Sequence, residues 1–293
     1  MDLLSEKIYL CNKSAKYLNM RVPVSICLAF VLAMFSACSG KLRGGEFGDG
    51  DLSKQPAESG SICIIGASIA YPENTWFEMA CESLGKQPIN KARSGGRPGD
   101  DVVKMSQGTL FAEGEHDKFE IFAVMHCHEM EICNEAKLLA DYNEYLPAPD
   151  MDYSQAFDYI IRKYADECRA LEFDSSSKWY GYEGGKPVKI VLCTHWHDAR
   201  PLYNGAVRRL VEKWSDFAYL CAFDANIGFT KDEPDPETGE QMSLRYAKNG
   251  INDTEYLYGV LHGWHSTRGR DAEIQQRMAK IFADACTPLV DRK

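Results

Sequence analysis

Two residues far apart in this 293-residue chain carry side chains suited to acyl transfer. Ser68 ends the tripeptide Gly66-Ala67-Ser68, directly after the apolar run Ile62-Cys63-Ile64-Ile65. His265 ends His262-Gly263-Trp264-His265, shortly before the last amphipathic segment. A serine hydroxyl attacks a carbonyl only when a base takes its proton. An imidazole has the right basicity for that work near neutrality. The C-terminal tip of a parallel strand is where open α/β sheets place their ligands. A fold that brings His265 to the same edge as Ser68 would therefore hold a nucleophile and its base.

The elements that must do this are legible as an alternation. Ser61–Gly66 reads as a strand buried on both faces. Trp76, Phe77, Ala80 and Leu84 fall at helical spacing and predict a helix over 74–84, with Asn74 or Thr75 as cap. A weak strand over 87–92 follows, then a short helix over 99–107 opened by Asp100 and Asp101, then a strong strand at Phe119–Met125. Phe157, Ile160, Ile161, Tyr164 and Leu171 mark the inner stripe of a long helix over 154–173. Strands over 187–194 and 216–223 enclose a helix over 202–214. A last helix over 271–286 turns Ile274, Met278, Ile281 and Phe282 inward. Five strands alternating with helices predict an α/β fold, a three-layer α/β/α sandwich around a five-stranded parallel sheet. Residues 126–151 and 225–258 break the rhythm. Both follow strands running toward the Ser68 edge, so both are expected to wall a substrate site.

In order, these islands resemble the signature blocks of the SGNH or GDSL hydrolase superfamily, whose fold is flavodoxin-like. Gly66-Ala67-Ser68 stands for its Gly-Asp-Ser. Asn90-Lys91-Ala92-Arg93-Ser94-Gly95-Gly96 carries the glycine after the second strand. His126-Cys127-His128-Glu129 aligns with Gly-x-Asn-Asp, and His262-Gly263-Trp264-His265 with Asp-x-x-His. The resemblance covers the chain from Ser61 onward. It implies ester hydrolysis through an acyl-enzyme, without metal or cofactor. Ser68 would be the nucleophile and His265 the base. The amides of Ser68 and of Gly95 or Gly96, with the His128 imidazole, would form the oxyanion hole. The position of the orienting aspartate falls on His262. A neutral imidazole there could accept from His265 but lacks a carboxylate's charge, so a Ser–His dyad or another acid such as Asp198 would be required.

Six of the seven histidines follow strand-like runs or lie in the final loop: His126, His128, His195, His197, His262 and His265. In a parallel sheet they converge on one rim. They form either a polar cleft, lined by His126, Glu129, His195, Trp196, His197, Asp198 and Trp264, or a metal site. Thr194-His195-Trp196-His197-Asp198 resembles the Thr-His-x-His-x-Asp motif of metallo-β-lactamases, with the aspartate one residue early. A metal-dependent hydrolase and a catalytically silent carbohydrate-binding protein are the alternatives to the esterase.

Lys13, Lys16 and Arg21 precede an apolar run over 22–35, too short for a comfortable membrane span and typical of an export signal. Phe35-Ser36-Ala37-Cys38 resembles a bacterial lipobox, which would lipidate Cys38 and hold the protein at the cell envelope, periplasmic or at the surface. Residues 39–60 read as a flexible tether to a single domain over 61–293. The net charge of −10 argues against a nucleic-acid partner. A glycan ester or other small ester is the expected substrate. Of the eleven cysteines none forms a CxxC pair, so a structural zinc site is not expected. Cys127 and Cys133 are a conceivable disulfide.

Overall fold

The computed structural model describes residues 60–72, 75–126, 151–249, 253–257 and 260–290, all within one compact unit, Pro56–Lys293. The expected leader, Cys38, the tether, Cys127, Cys133, His128 and Glu129 lie outside the described residues. Apolar side chains alternate between the two faces of the strands, and each face finds its own helices. Ile62, Ile64, Ile121, Ala123 and Val191 pack with Trp76, Phe77, Ala80, Ile274, Met278 and Phe282. Cys63, Ile65, Phe122, Val124 and Leu192 pack on the opposite side with Val102, Met105, Phe157, Ile160, Ile161 and Leu210. Burying both faces removes the amphipathic signal from the strands and explains their continuous apolar runs.

The strands are β1 (Ser61–Gly66), β2 (Gln87–Asn90), β3 (Phe119–Met125), β4 (Ile190–Cys193) and β5 (Ala218–Cys221). They form one parallel sheet in the order β2-β1-β3-β4-β5. This is the flavodoxin-like order, whose direction reverses between β1 and β3. Ligand sites in such sheets open outside the strand C-termini at that reversal. The main helices are α1 (Trp76–Ser83), α2 (Pro98–Ser106), α3 (Tyr153–Ala170), α4 (Pro201–Lys213) and, closing the chain, α7 (Glu273–Cys286). Of the two expected caps of α1, Asn74 lies outside the described residues and Thr75 does not cap. Thr75 has a left-handed backbone (φ 76°) and its side chain caps nothing. Helix α2 opens at Arg97, with the Asp100 carboxylate accepting from the Arg97 amide.

The segment expected to be an irregular wall is partly ordered into regular structure. It holds two short helices, α5 (Phe223–Asn226) and α6 (Met242–Arg245). An antiparallel pair follows, β6 (Thr254–Leu257) with β7 (Val260–Gly263), forming a sheet of its own. Six cysteines, Cys63, Cys81, Cys168, Cys193, Cys221 and Cys286, are buried as free thiols. Burial pushes the thiols of Cys81 and Cys63 well up, so they stay protonated and serve as small apolar side chains.

Candidate active site

Ser68 sits in the turn that leaves β1. The turn is tight because three strand ends meet at Gly66. A Cβ on Gly66 would lie 2.3 Å from the Met125 carbonyl oxygen at the end of β3. The Ala67 amide donates to that carbonyl (3.1 Å), and the Arg93 amide, just past β2, donates to the Gly66 carbonyl (3.0 Å). A Cβ on Gly96 would lie 2.9 Å from the same Gly66 oxygen. The two glycine-bearing motifs are thus glycine-bearing because they touch.

The Ser68 hydroxyl lies 2.7 Å from His265 Nε2. The other ring nitrogen, Nδ1, faces the Asp253 carboxylate, 2.9 Å from Oδ1 and 3.2 Å from Oδ2. A carboxylate at Nδ1 fixes the tautomer: Nδ1 keeps its proton and donates it, and Nε2 is left to accept from Ser68. Burial pulls the His265 imidazole below its ordinary value, and the Asp253 carboxylate opposes that pull. The ring is therefore neutral and basic at pH 7, the state a general base requires.

Asp253 is the residue missed in the sequence, and the β6–β7 pair explains its role. Thr254 pairs with Gly263, and the Trp264 amide donates to the Asp253 carbonyl (2.9 Å). Asp253 and His265 therefore flank the open end of one ladder. The sequence did hold a signal: Thr254 to Leu257 and Val260 to Gly263 are two short strand-like runs separated by Tyr258 and Gly259, a hairpin pattern.

His262 does not orient His265. It is fully buried, pairs with Glu255 across the ladder, and stands 3.5 Å from the Glu255 carboxylate and edge-on to His197. The Asp253 carboxylate is the group that faces His265 Nδ1. Asp198 is not the acid either, since it accepts from the Lys231 amide (2.6 Å).

Most residues expected to line the cleft are instead packed behind it. His126, His195, Trp196 and His197 are buried, so their rings cannot face a substrate. Polar atoms of His197 and Trp196 hold the β6–β7 pair in place. His197 Nε2–H donates to the Gly263 carbonyl (2.8 Å) and its Nδ1 accepts from the Ala199 amide (3.2 Å). The Trp196 indole donates to the Trp264 carbonyl (3.0 Å). With both nitrogens of His197 engaged, the Thr194–Asp198 motif does not present a metal-ligand pair. Among the described residues no group of three or more His, Cys, Asp or Glu side chains is disposed to hold a metal ion. Burial drives both His195 and His197 well below the ordinary imidazole value, so both stay neutral. His126 Nε2 meets Asp101 (2.8 Å), which also binds Arg93. Trp264 stays partly exposed, with the Arg200 guanidinium 3.8 Å from its ring centroid and paired to Glu255. Of the two glycine amides expected at the oxyanion, that of Gly96 donates to the Arg93 carbonyl (2.9 Å).

The strand order, with Ser68 in the turn after β1 and His265 ahead of the last helix, defines a three-layer α/β/α protein of flavodoxin-like topology. The chain belongs to the family described as Domain of unknown function (DUF5040), whose model matches residues 60–290. No curated protein matches the sequence. Solved structures similar to it include the C-terminal catalytic domain of Streptococcus pneumoniae peptidoglycan O-acetyltransferase A, at 11% identity and TM-score 0.36 over 79% of this chain and 95% of that one. A candidate SGNH hydrolase from Slackia heliotrinireducens is similar at 12% identity and TM-score 0.35, over 78% and 99%. A carbohydrate esterase family 2 enzyme with a carbohydrate-binding domain, from Corynascus thermopiles, is similar at 11% identity and TM-score 0.42, over 80% and 68%.

Proposed function

We propose that this protein is a serine-dependent carboxylic-ester hydrolase acting on acylated carbohydrate. The observation that carries the reading is the unbroken chain Ser68 Oγ, His265 Nε2, His265 Nδ1, Asp253, with contacts of 2.7 and 2.9 Å. His265 takes the Ser68 proton as Oγ attacks the ester carbonyl, and Asp253 stabilises the imidazolium that forms. The amides of Ser68 and Gly95, joined by His128, are assigned to the oxyanion. The imidazolium then protonates the leaving alkoxide. Water, deprotonated by the same ring, frees the acyl group from Ser68 and restores the enzyme. Lipidation of Cys38 and display at the cell envelope belong to the same proposal. They are tested by incorporation of labelled palmitate that Cys38→Ala abolishes.

The enzymatic reading is tested by release of acetate from acetylated polysaccharide and by turnover of an activated acetyl ester. Both are expected in the wild type. Both should fall by at least about 10⁴-fold in Ser68→Ala, while the melting temperature stays within a few degrees. Turnover retained in Ser68→Ala would remove that residue from the mechanism. Glycan binding without turnover would select the silent alternative.

A further inference from the structure

Ser68 and His265 are 197 positions apart, and among the described residues no strand pairing joins their loops. Their neighbours are joined by a buried polar chain instead. The Trp76 indole N–H donates to the carbonyl of Ile69, the residue after Ser68 (2.8 Å). The Trp76 amide donates to Gln275 Oε1 (3.3 Å). Gln275 Nε2 then donates to Ser266 Oγ (2.9 Å), on the residue after His265, and to the Thr267 carbonyl (2.8 Å). Trp76 and Gln275 are both fully buried. A glutamine is seldom buried, and this one is satisfied at both ends of its amide.

Both residues stand at the starts of helices that pack on each other. Trp76 begins α1 and Gln275 lies in the first turn of α7. The Trp76 ring meets Phe282 of α7 edge-on, with centroids 5.3 Å apart, and Phe223 at 5.1 Å. The indole is thereby fixed, and its N–H is a fixed point for the nucleophile turn. A side-chain amide is planar and of set length, so it transmits that position to the base loop.

We infer that Gln275, acting with Trp76, is a positioning residue that sets the separation of the Ser68 hydroxyl from His265 Nε2. It touches neither substrate nor reacting atoms. Its role for turnover rests on the esterase reading, but its role for geometry does not. In Gln275→Met the chain is cut at both ends with little change in volume. In Gln275→Glu, assayed above the carboxyl range, the acceptor for Trp76 remains and both donors to the base loop are lost.

The test reads rate and geometry separately. Both variants are expected to lower kcat and the rate of fluorophosphonate labelling of Ser68 by about 10²-fold, with KM within about twofold. Placed in a His265→Ala background, Gln275→Met should lower the residual rate no further, because the group it positions is gone. A crystal structure of Gln275→Met should show the Oγ–Nε2 contact opened beyond about 3.5 Å, outside hydrogen-bond range. Effects that multiply in the double variant would mean that Gln275 acts on stability alone and would overturn the inference. So would an unchanged contact with unchanged labelling in a folded variant. If Gln275→Met does not fold, Gln275→Glu decides by the same two readouts. A wild type that hydrolyses and labels with nothing sinks the esterase reading, while the crystallographic distance still judges Gln275.

Discussion

Ser68 and its hydrogen-bonded partners His265 and Asp253 are held by two regions built in different ways. Ser68 stands on the central sheet, where β1 is paired on both edges and three strand ends converge on Gly66. Asp253 and His265 stand on a small antiparallel pair outside that sheet. Its position is fixed from the side by buried side chains: His197 and Trp196 on consecutive carbonyls of Gly263 and Trp264, and Arg200 on Glu255. The central region is held by backbone pairing on both edges of β1. The peripheral region is placed by a few specific contacts. Changes in the first should register mainly in stability, and changes in the second mainly in rate.

The sharpest break of this contrast is Asp253→Asn. It leaves the sheet untouched and is expected to lower kcat by about 10⁴-fold, since the amide no longer selects the productive tautomer. It also shifts the pH profile in a stated direction. Asp253 raises the His265 pKa against burial, so its loss lets burial pull the ring lower. The acid limb of kcat/KM should move to lower pH, which a pH–rate series on an activated ester would reveal.

A matched pair of glycine substitutions sharpens the comparison. A methyl on Gly66 would meet the Met125 carbonyl at 2.3 Å, and one on Gly263 would meet the Ser243 carbonyl at 2.5 Å. Gly66→Ala strains the paired sheet and should cost about 3 kcal/mol or more in denaturant unfolding. Gly263→Ala should shift the β6–β7 pair and lower kcat by about 10²-fold, with a smaller loss of stability. Equal partition between rate and stability in both variants would erase the distinction.

The smallest expected effect is a slope of stability with pH. His195 and His197 are held neutral, with folded-state values well below the ordinary imidazole range. The unfolded chain binds protons that the folded chain refuses. Stability should therefore be flat above about pH 7. It should fall as pH drops through the ordinary histidine range, by about 1.4 kcal/mol per pH unit per ring, until the native rings protonate. Chemical unfolding at several pH values would measure it. In a His195→Asn, His197→Asn variant that part of the slope should vanish.

Sequence patterning was informative where burial is simple. The boundaries of β1 and β3 were legible to the residue, because strands buried on both faces are uninterrupted apolar runs. Ser68 and His265 were legible because each follows a strand-like run beside a glycine. The acid was not. Attention to Asp-x-x-His placed it at His262, whereas the ladder register brings it from Asp253, twelve positions before the base. Of the six histidines expected on one rim, three are found together, and those three are buried rather than exposed. His195, His197 and His262 do gather, but in the interior, where imidazoles serve as hydrogen-bonding packing groups. Composition alone does not distinguish a ring that faces solvent from one that props a neighbouring backbone. Gln275 carried no signal at all, because a lone glutamine on a helix ordinarily faces water.

The most direct test is the rate at which a fluorophosphonate modifies Ser68, compared between the wild type and Asp253→Asn. The expected result is a single adduct on the Ser68 peptide of the wild type, formed at a rate that falls on the order of 10³–10⁴-fold in the variant. A folded wild type that takes no adduct, or equal rates in the two proteins, would contradict the account.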